Sequence, residues 1–189
     1  MKLIIADLDG TLISKQQMSD STKQTIQKLK DQGYLFTLAT GRHKDATRRV
    51  ANELMVDLPV ICTNGAFIYD FKREKVIHQD IIDTKSVQKV LEILNEQMSS
   101  YLLYTTQSIV SNQSAKDKLA LRIGSFESLV VKDESLKDYL PLGLLKILII
   151  EPDEIKFKQL REKLSSLDSV YVLSSQASFI DVGNKVANK

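Results

Sequence analysis

Three apolar runs dominate the first third of the chain: "KLIIA", "YLFTLAT" (34 to 40) and "PVICTNGAFIY" (59 to 69). They are continuous rather than alternating, as expected of parallel strands covered on both faces. Each is parted from the next by one amphipathic stretch. In "SDSTKQTIQKLKDQG" a Ser or Asp can cap the start, Thr22, Ile26 and Leu29 share a face, and Gly33 can end the helix. In "HKDATRRVANELM" the inner face is Ala46, Val50 and Leu54. The pattern is βαβαβ, which a parallel sheet with right-handed crossovers satisfies.

The texture changes near Lys72. "KREKVIHQD" reads as a short hairpin leading out, and "DTKSVQKVLEILNEQM" as a helix burying Val87, Leu91, Leu94 and Met98. "YLLYTTQSIVSN" gives one long or two short strands, and residues 114 to 142 are mixed, with short helical pieces. Then come a strand "LLKILIIE", a helix "DEIKFKQLREKLSS" opened by Asp153, and the β runs "VYVLSS" and "SFIDV". Two αββ units suggest an α+β module. The expected division is a core of residues 1–80, to which 184–189 return, and a module of residues 81–183.

A chain of 189 residues with 43% hydrophobic residues can bury a sizeable core. Its 26 basic and 24 acidic residues are spread without a run of like charge, so no nucleic-acid partner is expected. "MKLIIADLD" turns acidic too soon for a signal sequence, and no apolar stretch approaches membrane-spanning length. A lone cysteine, Cys62, sits in an apolar run and reads as a small buried side chain. The expectation is a soluble, cytoplasmic protein without a membrane partner.

Ligands of open parallel sheets bind beyond the carboxyl ends of the strands. The three strands here end in Asp7 and Asp9, in Thr40-Gly41-Arg42, and in Thr63-Asn64-Gly65. Residues i and i+2 of an extended chain point the same way, so the two carboxylates share a side and repel. A positive group is needed between them, and Mg²⁺, held by Asp7 and Asp9 with water and a substrate phosphate, would meet that need. Thr40 and the Gly41 turn could cradle a phosphate oxygen. Gly10, Thr11, Gly41, Arg42 and Asn64 are the candidate phosphate- and substrate-binding positions. Arg42 can pair with an acid or touch substrate, and Asn64 can cap a turn or orient the site. His43 and His78 read as surface residues, with no second ligand at metal spacing.

The strings "DLDGTL", "TLATGR", "TNGAFIYD" and "FIDVGNKVANK" resemble, from end to end of the chain, the haloacid dehalogenase superfamily of phosphatases, in particular its Cof-like group. The resemblance implies a Rossmann-like parallel-sheet core with an inserted α+β cap. It further implies that Asp7 is the nucleophile forming an aspartyl-phosphate, Asp9 the general acid/base, Thr40 the catalytic threonine of the second motif, and Lys189 the lysine that steadies the phosphate and the nucleophile. By composition alone Lys185 and Lys189 are equally tail residues. Small phosphorylated metabolites such as sugar phosphates are the implied substrates. The family pattern continues past the lysine to a further acidic motif, so the chain is expected to be truncated, by roughly two to three βα units of about 30 residues each. The "KLIIA" strand would then be an edge open to self-association.

Rival classes fail on particular strings. A phosphorelay receiver needs an acceptor Asp at the end of a later strand, and none follows "YLFTLAT" or "PVICTNG". Neither G-x-x-x-x-G-K-[ST] nor G-x-G-x-x-G is present. A phosphotransferase or mutase on the same scaffold, and a non-catalytic remnant that binds a phosphometabolite or protein, stay open.

Overall fold

The structure is a computed structural model and describes residues 2–14, 17–111, 115, 117 and 140–187. The chain divides between Gln79 and Asp80 into two compact units. Residues 184–187, expected to return to the first unit, belong to the second. No described helix is long and apolar enough to cross a membrane.

In the first unit, β1 (Lys2–Ala6) and β2 (Tyr34–Leu38) pair in parallel, from Lys2 opposite Tyr34 to Ala6 opposite Leu38. The crossover is α1 (Asp20–Asp31), whose start is held by Ser19 Oγ accepting the Thr22 amide at 3.1 Å. Gly33 follows with a left-handed φ of 82°, which only glycine adopts without strain. The second crossover is α2 (Lys44–Glu53), leading to β3 (Val60–Cys62). Its buried face is Thr47, Val50, Ala51 and Leu54, while Ala46 is only half-buried. β3 joins β2 through a single parallel bridge, Ala39 opposite Ile61.

The stretch 59–69, expected to be one strand, is two. A 3₁₀ turn at Thr63–Gly65 separates β3 from β4 (Phe67–Asp70), which runs antiparallel to it, and β5 (Lys75–Gln79) extends the meander. The chain reverses because Thr63 and Asn64 both take left-handed backbone angles, φ 52° and 57°. At the other side β1 pairs only with β2 among the described residues, and its Leu3 and Ile5 are 53% and 50% exposed.

The second unit is a five-stranded antiparallel sheet in which β6 (Ser100–Thr105), β7 (Ile109–Ser111), β8 (Leu144–Ile150), β9 (Val170–Gln176) and β10 (Phe179–Asn184) take the order β7-β6-β8-β10-β9. One face packs on α3 (Thr84–Glu96) and α4 (Glu154–Ser165), with Val90, Leu94, Leu160 and Leu164 against Leu103 and Ile147. The other carries Leu102, Tyr104, Leu148 and Phe179. Asp83 and Asp153 cap the two helices through side chains that accept amides of the first turn. Met98 was expected on the buried face of α3. The helix instead ends at Glu96, and Met98 has a left-handed φ of 49° and is 86% exposed; Val90 fills the inner face. The short helical pieces expected within 114–142 fall almost wholly outside the described residues.

Candidate active site

The loop after β1 is wound on a single carbonyl. Leu8 O accepts the amides of Thr11, Leu12 and Ile13, while the Gly10 amide donates to Ile13 O. The Leu8 side chain is fully buried, so it anchors the loop, and its neighbours Asp7 and Asp9 flank that anchor, half-buried and exposed respectively. Gly10 makes the turn with φ 80°. Gly10 and Thr11, expected to bind phosphate, spend their amides inside their own loop.

The loop after β2 is stitched to the turn after β3. Thr40 N donates to Ile61 O, Asn64 N to Thr40 O, and Thr63 N to Arg42 O, all between 2.9 and 3.1 Å. Thr40 is fully buried, and its hydroxyl accepts the Arg42 amide at 3.1 Å. A side chain on Gly41 would not fit: its Cβ would stand 2.6 Å from Asn64 Oδ1. Asn64 therefore lies directly over the Gly41 backbone. The Thr63 hydroxyl is buried and has no hydrogen-bond partner among the described residues.

Arg42 joins the two loops. Its Nε donates to Asp9 Oδ2 at 2.9 Å and its Nη2 to Asp9 Oδ1 at 2.6 Å, a two-pronged grip across 33 residues of sequence. The guanidinium side chain is 9% exposed and the Asp9 side chain 49%. Of the sequence candidates, Asp9, Thr40, Gly41, Arg42 and Asn64 are thus linked by direct contacts, with Asp7 two residues from Asp9. Lys189 lies outside the described residues.

Next to this cluster the reading of His43 as a surface residue is overturned. It is 1% exposed at the N-cap position of α2, because the chain enters the helix from the buried end of β2. His78 is exposed. Asp45, whose carboxylate lies 3.4 Å from His43 Nδ1 and 2.7 Å from Lys44 Nζ, is held well below the ordinary carboxylate range, first by its hydrogen bond with His43 and then by Lys44. Cys62 is fully buried, and burial pushes its thiol up to about 12, which removes it as a nucleophile at neutral pH.

The positive charge that the paired carboxylates require comes, for Asp9, from Arg42. Among the described residues no three His, Cys, Asp or Glu side chains gather into a metal cage. Both Asp9 oxygens already accept hydrogen bonds from Arg42, so its side chain is a poor metal ligand in this arrangement. Asp7 remains, and a single carboxylate with water and substrate phosphate fits the way Mg²⁺ is commonly held. The grip of Arg42 on Asp9 was only one of two options in the sequence. The run Thr-Gly-Arg at a strand end signalled a cation near the rim, but its partner is distant in the chain.

The haloacid dehalogenase-like hydrolase family matches residues 4–189. A candidate phosphatase of Mycoplasma genitalium is 30% identical over 206 residues, spanning 100% of this chain and 73% of that protein. One of Mycoplasma pneumoniae is 29% identical over 200 residues, spanning 98% of this chain and 71% of its own length. A haloacid dehalogenase-like hydrolase of Bacillus subtilis, 22% identical, superposes with a TM-score of 0.85 over 100% of this chain and 75% of its own, which establishes a shared fold. The α/β fold expected from the strand pattern is that of this group, and the chain belongs to the haloacid dehalogenase-like hydrolases.

Proposed function

We propose that this protein hydrolyses phosphate monoesters of small metabolites, sugar phosphates among them, through an aspartyl-phosphate on Asp7. The observation that carries the reading is the Arg42 grip on Asp9, which brings the carboxylate loop after β1 to the Thr40-Gly41 loop after β2. Phosphoryl transfer asks mainly for positioning and charge neutralisation, and these loops bring both.

An Asp7 carboxylate oxygen attacks phosphorus as the bond to the leaving oxygen breaks, and the Asp9 carboxyl gives that oxygen its proton. Water then attacks the same phosphorus. Its proton passes to Asp9, the bond to Asp7 breaks, and inorganic phosphate leaves with both aspartates restored. Thr40 and the Gly41 backbone orient the phosphate oxygens. Mg²⁺, with Asp7 as its protein ligand, would neutralise charge between carboxylate and phosphate. Residues 81–183 form the part of the chain we assign to substrate choice. We place the protein in the cytoplasm, where its one cysteine, the buried Cys62, would stay reduced.

Phosphate release from p-nitrophenyl phosphate, with and without Mg²⁺, tests the reading. Asp7→Asn should abolish release while leaving the circular dichroism spectrum unchanged. Undiminished activity in that variant overturns the assignment.

A further inference from the structure

We propose that Arg42 is a positioning residue that acts through Asp9, and that its guanidinium is not a ligand of the transferred phosphate. The inference rests on the hydrolase reading above and goes beyond it by assigning Arg42.

Three observations carry it. The contact is two-pronged, Nε to Oδ2 at 2.9 Å and Nη2 to Oδ1 at 2.6 Å, so it fixes the rotation of the carboxylate as well as its place. A single ammonium could not do this. The arginine is itself immobilised: its amide donates to Thr40 Oγ1, its carbonyl accepts the Thr63 amide, and its side chain is 9% exposed. The carboxylate it holds is 49% exposed, so Asp9 is clamped from the protein side and open on the other.

The clamp fixes the orientation that proton transfer to and from Asp9 requires. Each carboxylate has about four acceptor positions, of which this contact uses two, leaving the outward ones to carry a proton. An exposed aspartate at the tip of a turn would otherwise sample several rotamers, and each wrong orientation lowers the rate of transfer. Arg42 forms no bond to a reacting atom in either step. The proton travels between Asp9 and the leaving oxygen, then between water and Asp9, as the P–O bonds exchange.

The test exploits the leaving group. The p-nitrophenolate ion departs without a proton, whereas the alkoxide of an alkyl phosphate such as glycerol 3-phosphate does not. In the full chain, Arg42→Gln should lower kcat on the alkyl ester by about a hundredfold, the size of a general-acid contribution. On p-nitrophenyl phosphate it should lower kcat by less than about tenfold, with KM for both esters little changed. Arg42→Lys should fall between. In an Asp9→Asn background Arg42→Gln should add no further loss, because the two residues act as a unit.

Equal losses on both esters, or a raised KM on both, would overturn the proposal and make Arg42 a phosphate ligand or a fold residue. Absence of turnover on both esters in the unmodified protein would refute the hydrolase reading and the proton-transfer role together. The clamp is read separately, from the Arg42 Nε–H resonance. Its slow exchange with water should be lost in Asp9→Asn, and fast exchange in the unmodified protein overturns the clamp itself.

Discussion

Replacing Lys146 with methionine removes a charge from the middle of the second unit's sheet while keeping most of the side-chain volume. Lys146 Nζ lies 3.2 Å from Asp181 Oδ1, and the two side chains are 5% and 3% exposed. The ammonium also stands 4.3 Å from the centre of the Tyr104 ring. Directly opposite Lys146 on β10 is Gly183, over which the Tyr171 ring lies so closely that an added Cβ would be 2.3 Å from Cε1. Asp181, Tyr104 and Gly183 thus lie close about the Lys146 side chain. Methionine leaves no cavity there, and the loss is electrostatic: Asp181 stays buried without its ammonium. Removing one partner of a buried pair costs about 3–5 kcal/mol, and loss of the contact with Tyr104 acts in the same direction. The double variant Lys146→Met/Asp181→Leu removes both charges and should recover to within about 1 kcal/mol of the unmodified protein, or exceed it. Equilibrium urea denaturation measures the loss. Hydrogen exchange at β8 and β10 assigns it to the second unit, since two compact units need not unfold together. A loss under about 1 kcal/mol in the single variant, or a double variant as unstable as the single, would refute the reasoning.

Gly41→Ala would drive a Cβ to 2.6 Å from Asn64 Oδ1. The buried amide must turn away, so kcat/KM should fall on the order of tenfold for a stability loss below about 2 kcal/mol, read from turnover and a thermal melt. Full activity would show that the orientation of Asn64 is immaterial. Asp83, which caps α3, has its carboxyl held below the ordinary range, first by the Ser86 hydroxyl and then by the Ser86 amide. Its contribution is complete above the ordinary carboxylate range and is lost as pH falls through the lowered value. Asp83→Asn should thus lower the urea midpoint of the second unit at pH 7 and flatten its fall toward pH 3, whereas an unchanged acid limb would place the acid sensitivity elsewhere.

Much of the fold was legible because its signals are local. The caps Ser19 and Asp153 satisfy amides two or three residues away, Gly33 stops α1 by its own backbone freedom, and continuous apolar runs marked β1, β2 and β8. The two αββ units followed from the same short-range periodicity. The candidate site was legible as residue types at strand ends: Asp7 and Asp9, Thr40 to Arg42, and Asn64. What escaped the sequence depends on groups brought together from afar. The run 59–69 is equally apolar on both sides of Thr63, so composition could not show that the chain reverses there at two left-handed residues. Met98 keeps the helical spacing of its neighbours yet falls past the last turn of α3, and His43 is polar yet buried because α2 starts where β2 dives inward. Above all, the carboxylate pair called for a positive charge, read from the sequence as Mg²⁺ on Asp7 and Asp9, whereas the charge that meets Asp9 in the structure is the Arg42 guanidinium. Only the parallel pairing of β1 with β2 sets Arg42 against Asp9, because a contact across 33 residues is decided by how strands align and not by anything adjacent in the chain.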